Sequence, residues 1–85
     1  MRSVERDTAP GMDGVAAALG LTAAEARLLG RLAGGATLAE AAAGLGIAET
    51  TAKTHLARIF GKAGVARLAD LLALVERIAP PVRRS

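Results

Sequence analysis

Two copies of the pattern Thr-x-x-Glu, each followed by an apolar stretch and then glycine, constrain the fold of this chain most strongly. Thr22 with Glu25, and Thr37 with Glu40, each fit a capping box. In that motif the threonine hydroxyl and the glutamate carboxylate satisfy free backbone N–H groups at the start of a helix. Glycines downstream of each box are typical helix ends. The pattern therefore predicts two successive short helices that begin near residues 22 and 37.

The segment from Gly46 to Lys62 predicts a tight turn and then a third helix, at about residues 49–62. Gly46 is expected at positive φ, a conformation that costs other residues about 1 kcal/mol or more. At about 100° per residue, one side of the helix collects residues that must face a core: Ala52, Leu56, Ile59, Phe60 and Ala63. The opposite side collects small or short polar residues: Thr50, Thr54, Ala57 and Gly61. Nothing bulky keeps that side from a DNA major groove, which is wide enough to admit a helix.

Basic side chains flank this small-residue face. Lys53 lies on one edge, and Arg58 and Lys62 lie with Thr51 on the other. Such flanks can reach phosphates while the middle of the face contacts base edges. The net charge of the chain is only +3, so this argument rests on where the cations lie and not on their number. The alternative is that the three cations are simply the solvated side of an amphipathic helix.

A fourth helix, from Arg67 to about Ile78, is more apolar than a helix that faces only its own core. Its apolar side chains cover roughly 160°, whereas a surface helix needs a stripe of roughly 100°. The excess consists of Leu74 and Ile78 with part of Leu71, and it predicts a two-fold dimer contact. The alternative is that a segment near residues 12–20 covers Leu74 and Ile78 within the same chain.

The domain organisation follows from these elements. Residues 1–11 have too little apolar surface to order themselves and are predicted to be a flexible arm. Residues 12–20, with Asp13 as a plausible N-cap, predict a short extra helix. The helical domain is expected to span residues 21–79, and a basic tail follows at residues 80–85.

Composition narrows the class of protein. The abundance of alanine and leucine, with few β-branched residues, predicts one small all-α domain. The chain has no cysteine and one histidine, so no metal site and no cofactor are expected. Glu25 and Glu40 are assigned to caps and no nucleophile or phosphate loop accompanies them, so an enzyme is not expected. No small-molecule ligand is evident. No apolar run reaches the roughly 20 residues of a membrane span, so we expect a cytoplasmic protein without membrane association.

Several motifs occur in a recognisable order. They are Leu21-Thr22-x-x-Glu25, Leu32-Ala33-Gly34-Gly35, Glu40-x-Ala42, Leu45-Gly46-Ile47, and Thr51-x-Lys53-Thr54-His55-Leu56-x-Arg58-Ile59-Phe60-x-Lys62-x-Gly64-Val65. From about Leu21 to Val75 the chain resembles the DNA-binding domain of LuxR-type (GerE-like) transcriptional regulators. The resemblance implies a four-helix domain in which the second and third helices form a helix-turn-helix. It also implies that the third helix enters the major groove and that the fourth makes a dimer contact.

The resemblance also implies roles for single residues. Lys53, Thr54 and Ala57 match positions that face bases. Positions that touch or lie near phosphates are matched by Thr51, His55, Arg58 and Lys62. The expected partners are double-stranded DNA and a second copy of the chain, and RNA polymerase or another regulator is a further candidate.

Some positions depart from the family pattern, and they keep a second function open. Leu38-Ala39 stands where relatives often carry Asn-Lys, and Ala57 and Gly61 stand where many carry longer polar or basic side chains. The second function is a protein-interaction module that retains the fold and binds or occludes another regulator without strong DNA affinity. A promoter reader similar to region four of sigma factors is disfavoured by the Gly64-Val65 turn and the long apolar fourth helix.

Overall fold

Five helices follow one another in the computed structural model, which describes residues 12–78. They are α1 (Met12–Leu19), α2 (Ala23–Ala33), α3 (Leu38–Leu45), α4 (Glu49–Ala63) and α5 (Leu68–Ile78). No strand occurs in this part of the chain, and the predicted all-α fold with a short extra N-terminal helix is confirmed. The arm assigned to residues 1–11 and the tail assigned to residues 80–85 lie outside the described residues.

Both predicted capping boxes are present. At the start of α2, the backbone N–H of Glu25 donates to Oγ1 of Thr22 at 3.1 Å, and the N–H of Thr22 donates to Oε1 of Glu25 at 2.9 Å. Thr37 and Glu40 repeat this arrangement at the start of α3, at 3.0 and 2.9 Å. These reciprocal bonds satisfy N–H groups that have no partner inside a helix, which explains why the two helices begin where they do.

The turn between α3 and α4 depends on Gly46, which has the predicted positive φ of 71°. This left-handed conformation ends α3 and redirects the chain within two residues into α4. Ala48 occupies the N-cap of α4 and offers no side-chain hydrogen bond. The turn is closed instead by backbone bonds, with the N–H of Gly46 donating to the oxygen of Ala43 and the N–H of Ile47 donating to that of Ala42.

Helices α2, α3 and α4 pack on one another and form most of the core. Leu28 and Leu29 of α2 and Ile59 of α4 are fully buried. The face of α3 in the core is made of alanines, with Ala41 and Ala42 buried. Because methyl groups occupy little volume, α3 can lie close to α4 without forcing the larger side chains from their rotamers. The core thus fixes which side of α4 faces outward.

Helix α1 packs against α2, α4 and α5 and completes the core with two buried side chains, Met12 and Val15. Helix α5 contributes Leu71 and Val75. The sequence analysis placed part of Leu71 in the dimer strip, but Leu71 is fully buried within the chain, because it lies at the centre of the apolar stripe of α5. It therefore cannot meet a partner.

The remaining two residues of the predicted strip differ from each other. Ile78 is partly buried and packs against the core, so the chain itself covers part of it. Leu74 is also partly exposed, but it is not among the side chains that pack against the core. On the other flank of α5, Leu68 is 39% exposed. The uncovered apolar surface of α5 therefore lies on both flanks of the helix, at Leu74 and at Leu68.

Candidate nucleic-acid interface

The outward side of α4 has the composition that the helical wheel predicts. Thr50, Thr54, Ala57 and Gly61 are all exposed. On the opposite side, Ala52 and Ile59 are completely buried. The exposed side is a smooth strip that runs along about three turns of helix, and a major groove can accommodate a helix of this shape. We call these four exposed residues the small-residue face.

Two free cations border the small-residue face. Lys53 and Arg58 are exposed and lie on opposite edges of it. Within residues 12–78, no carboxylate oxygen lies within 4.0 Å of either side-chain cation. Their charge is therefore available to a polyanion on both sides of the helix.

Lys62, on the same edge of α4 as Arg58, is already engaged. Its Nζ donates to Oε1 of Glu25 at 2.7 Å, which ties the last turn of α4 to the first turn of α2. The Lys62 side chain is 35% exposed, and that of Glu25 only 2%. A phosphate contact at Lys62, as the sequence analysis expects, must share or break this ion pair. Lys62 is therefore a weaker candidate for DNA contact than Arg58.

Glu25 combines two roles on one carboxylate oxygen. Burial by itself raises the pKa of Glu25, but the hydrogen bonds from Lys62 and Thr22 and the charge of Lys62 together outweigh burial and lower the pKa. The carboxylate is therefore charged at neutral pH. The sequence predicts the cap at Glu25 but not its link to Lys62, because no local pattern connects residues that are 37 positions apart.

Two further side chains of the predicted interface have restricted hydrogen bonding. The hydroxyl of Thr54 donates to the backbone oxygen of Thr50 at 3.2 Å. Its lone pairs then remain as acceptors on the small-residue face. His55 is partly buried, and its Nδ1 is enclosed with no hydrogen-bond partner among the described residues. Any contact between His55 and DNA must therefore use Nε2.

The structure places the remaining predicted site residues as follows. Thr51 and Ala57 are both exposed on α4. Thr51 lies on the same edge of the small-residue face as Arg58, and Ala57 lies in the middle of that face. The residues assigned to bases and to phosphates thus share one surface of one helix, with Lys62 at its end. Leu74 and Ile78 lie on α5 and belong to a separate surface.

None of the helices in the described part of the chain is long and apolar enough to cross a membrane. The family model described as "Bacterial regulatory proteins, luxR family" matches residues 19–75. This range contains α2, α3 and α4 and most of α5, and it begins at the last residue of α1. No curated protein and no solved structure matches the chain.

Proposed function

The chain belongs to the luxR family of bacterial regulatory proteins, and we propose that it is a DNA-binding transcription regulator in which α4 occupies the major groove. The observation that carries this proposal is the small-residue face of α4 between two cations, Lys53 and Arg58, that have no carboxylate partner among residues 12–78. A helix approaches base edges only where its side chains are short, and it is held there by contacts to the phosphates on both sides. Such a role places the protein in the cytoplasm.

We assign base contacts to Lys53, Thr54 and Ala57. Lysine can donate to guanine O6 or N7. Thr54 already donates its hydroxyl proton to Thr50, so it acts as an acceptor and favours the amino group of adenine or cytosine. The methyl group of Ala57 suits an apolar contact with the thymine methyl.

Phosphate contacts are assigned to Thr51, His55 and Arg58 on the other edge of the helix. Arg58 supplies the free charge at this edge, and His55 can donate only through Nε2 because Nδ1 is enclosed. For Lys62 we propose a positioning role: its ion pair with Glu25 holds the end of α4 against α2. This assignment replaces the phosphate contact expected from the sequence.

We further propose that two copies associate through α5, around Leu74. Leu74 is the apolar side chain of the predicted strip that does not pack against the core, and Ile78 borders it. A two-fold dimer places its two recognition helices about one DNA turn apart, roughly 34 to 36 Å, and favours a pseudo-palindromic site.

The experiment compares two single variants with the same chemistry, Arg58→Ala on α4 and Arg77→Ala on α5. Both arginines are exposed, and binding to labelled duplex DNA is followed by fluorescence anisotropy between 50 and 200 mM salt. Loss of one phosphate contact should lower the log–log salt slope by about 0.9 for each bound copy of the chain, so Arg58→Ala should lower it and Arg77→Ala should not. Equal slopes for the parent and both variants would contradict the assignment of Arg58.

The ion pair between Lys62 and Glu25 favours the second candidate function, a module that binds another protein and not DNA. Because Lys62 is paired, fewer cations on α4 are available to a polyanion. The same titration separates the two functions. A parent protein that shows no salt-dependent binding to any duplex would exclude the DNA-binding role and support the interaction module.

A further inference from the structure

A groove lies between α2 and the turn that joins α3 to α4. Its larger part, a cavity of about 280 Å³, is lined by Arg27 and Arg31 of α2 and by Gly44 and Leu45 at the end of α3. Its smaller part, about 100 Å³, shares Arg27 and Leu45 and continues to His55 of α4. The two cavities therefore adjoin and form one surface, which we call the arginine groove.

The arginine groove is basic. Arg27 and Arg31 lie one helical turn apart and are exposed, and no carboxylate oxygen of residues 12–78 lies within 4.0 Å of either guanidinium. A Cβ atom at Gly44 would come within 2.5 Å of Nη1 and 2.9 Å of Cζ of Arg31. The missing side chain at Gly44 is thus what lets the Arg31 guanidinium lie against the backbone of α3.

The arginine groove is continuous with the candidate nucleic-acid interface. His55, which lines the groove, lies on the same edge of α4 as Thr51 and Arg58. The charge of Lys62 at this edge is taken up by Glu25. Arg27 and Arg31 line the groove that adjoins this edge and can therefore add positive charge to it.

We propose that the arginine groove binds the phosphate backbone of DNA beside the major groove that α4 occupies; this rests on the proposed function. Two guanidinium groups on one helix edge suit phosphates, because the planar fork of arginine donates two parallel hydrogen bonds to one phosphate. Charge complementarity and continuity with the α4 edge favour the DNA backbone over an acidic segment of a protein. Helix α2 is then a second DNA-contacting element, in addition to α4.

The test compares the double variant Arg27→Ala/Arg31→Ala with a control of equal charge loss, Arg67→Ala/Arg77→Ala, in which Arg67 directly precedes α5 and Arg77 lies on it. Each is titrated from 50 to 200 mM salt against a labelled random-sequence duplex. Loss of two phosphate contacts should lower the log–log slope by about 1.8 for each bound copy of the chain, and the control should keep the slope of the parent. The variant Arg27→Lys/Arg31→Lys should keep most of the slope, because counterion release depends on charge. Circular dichroism at 222 nm verifies that all variants fold.

Each outcome decides the proposal. If the parent binds with a steep slope that Arg58→Ala lowers and Arg27→Ala/Arg31→Ala does not, the arginine groove has no DNA role and the function of α4 stands. A parent that does not bind DNA removes both proposals together. A third outcome is that Arg27→Ala/Arg31→Ala keeps the salt slope of the parent but no longer binds a poly-glutamate peptide that the parent binds. This outcome would assign the groove to an acidic protein partner.

Discussion

Replacing Lys62 with methionine tests the link between α2 and α4. Methionine keeps much of the length and apolar character of the lysine side chain and removes its charge. The change leaves the carboxylate of Glu25, whose side chain is only 2% exposed, without its cation. Glu25 keeps the N–H of Thr22 as a hydrogen-bond donor at 2.9 Å, so the carboxylate is only partly deprived of partners.

The loss of stability in Lys62→Met can be estimated from how deeply the Lys62 and Glu25 side chains are buried. Breaking a fully buried ion pair costs about 3 to 5 kcal/mol, but the Lys62 side chain is 35% exposed, so water already weakens this pair. A hydrogen bond to a charged group contributes about 1.5 to 3 kcal/mol. We expect Lys62→Met to lower the free energy of unfolding by about 2 kcal/mol at pH 7. In a domain of this size, that loss lowers Tm by about 10 °C.

The stability difference between the parent and Lys62→Met should also depend on pH. In the parent, the lowered pKa of Glu25 stabilises the fold above the unfolded pKa, close to the ordinary value of 4.5, and this stabilisation is lost as the pH falls through the folded pKa. In Lys62→Met, the remaining hydrogen bonds with Thr22 act alone against burial, so the pKa of Glu25 rises relative to the parent. The difference in stability between parent and variant should therefore shrink between pH 7 and pH 3.

Urea denaturation followed at 222 nm, at pH 7, 5 and 3, measures these free energies. Lys53→Met is the matched control, since Lys53 is exposed on the same helix and has no carboxylate within 4.0 Å among residues 12–78; it should change stability by less than about 0.5 kcal/mol. Adding Glu25→Gln to Lys62→Met should recover part of the loss. A Lys62→Met protein as stable as the parent at pH 7, or with a deficit that does not depend on pH, would refute the ion-pair argument.

Four substitutions test other features. Ala48→Ser should raise the free energy of unfolding by about 1 kcal/mol, because the N-cap of α4 has extended backbone and no side-chain hydrogen bond; a thermal melt without a rise in Tm would contradict this. Gly46→Ala should lower it by about 1 kcal/mol or more, since φ is 71° there. Gly44→Ala should fold as stably as the parent or up to about 1 kcal/mol more stably in urea titration, because the end of the flexible Arg31 side chain can move and alanine favours helix. Leu74→Glu should weaken self-association in sedimentation experiments and keep the helix content; undiminished association would exclude Leu74 from the dimer surface.

The features predicted from the sequence are those that depend on neighbours within about four residues. The capping boxes at Thr22 and Thr37 and the positive φ of Gly46 are of this kind, and all three are present. The inward and outward sides of α4 were also predictable, because the helical repeat fixes which residues share a face.

Other features could not be predicted because they depend on how helices meet. The pairing of Glu25 with Lys62 requires α2 to cross the end of α4, which no local pattern specifies. The burial of Leu71 has the same origin. A helical wheel gives the width of the apolar stripe on α5. It does not show which part of that stripe is covered by α1 and the rest of the core.

The range that the family model matches leaves out almost all of helix α1, although α1 contributes to the core. The family match begins at residue 19, after Met12 and Val15 have entered the core. Burying two such side chains contributes about 3 to 6 kcal/mol, comparable to the entire stability of a domain this small. Because α5 packs against α1, a fragment cut at residue 19 should lose most of its stability and the fixed position of α5. A fragment with the boundaries of the family match would therefore lack the helix that supports α5, on which the proposed dimer contact lies.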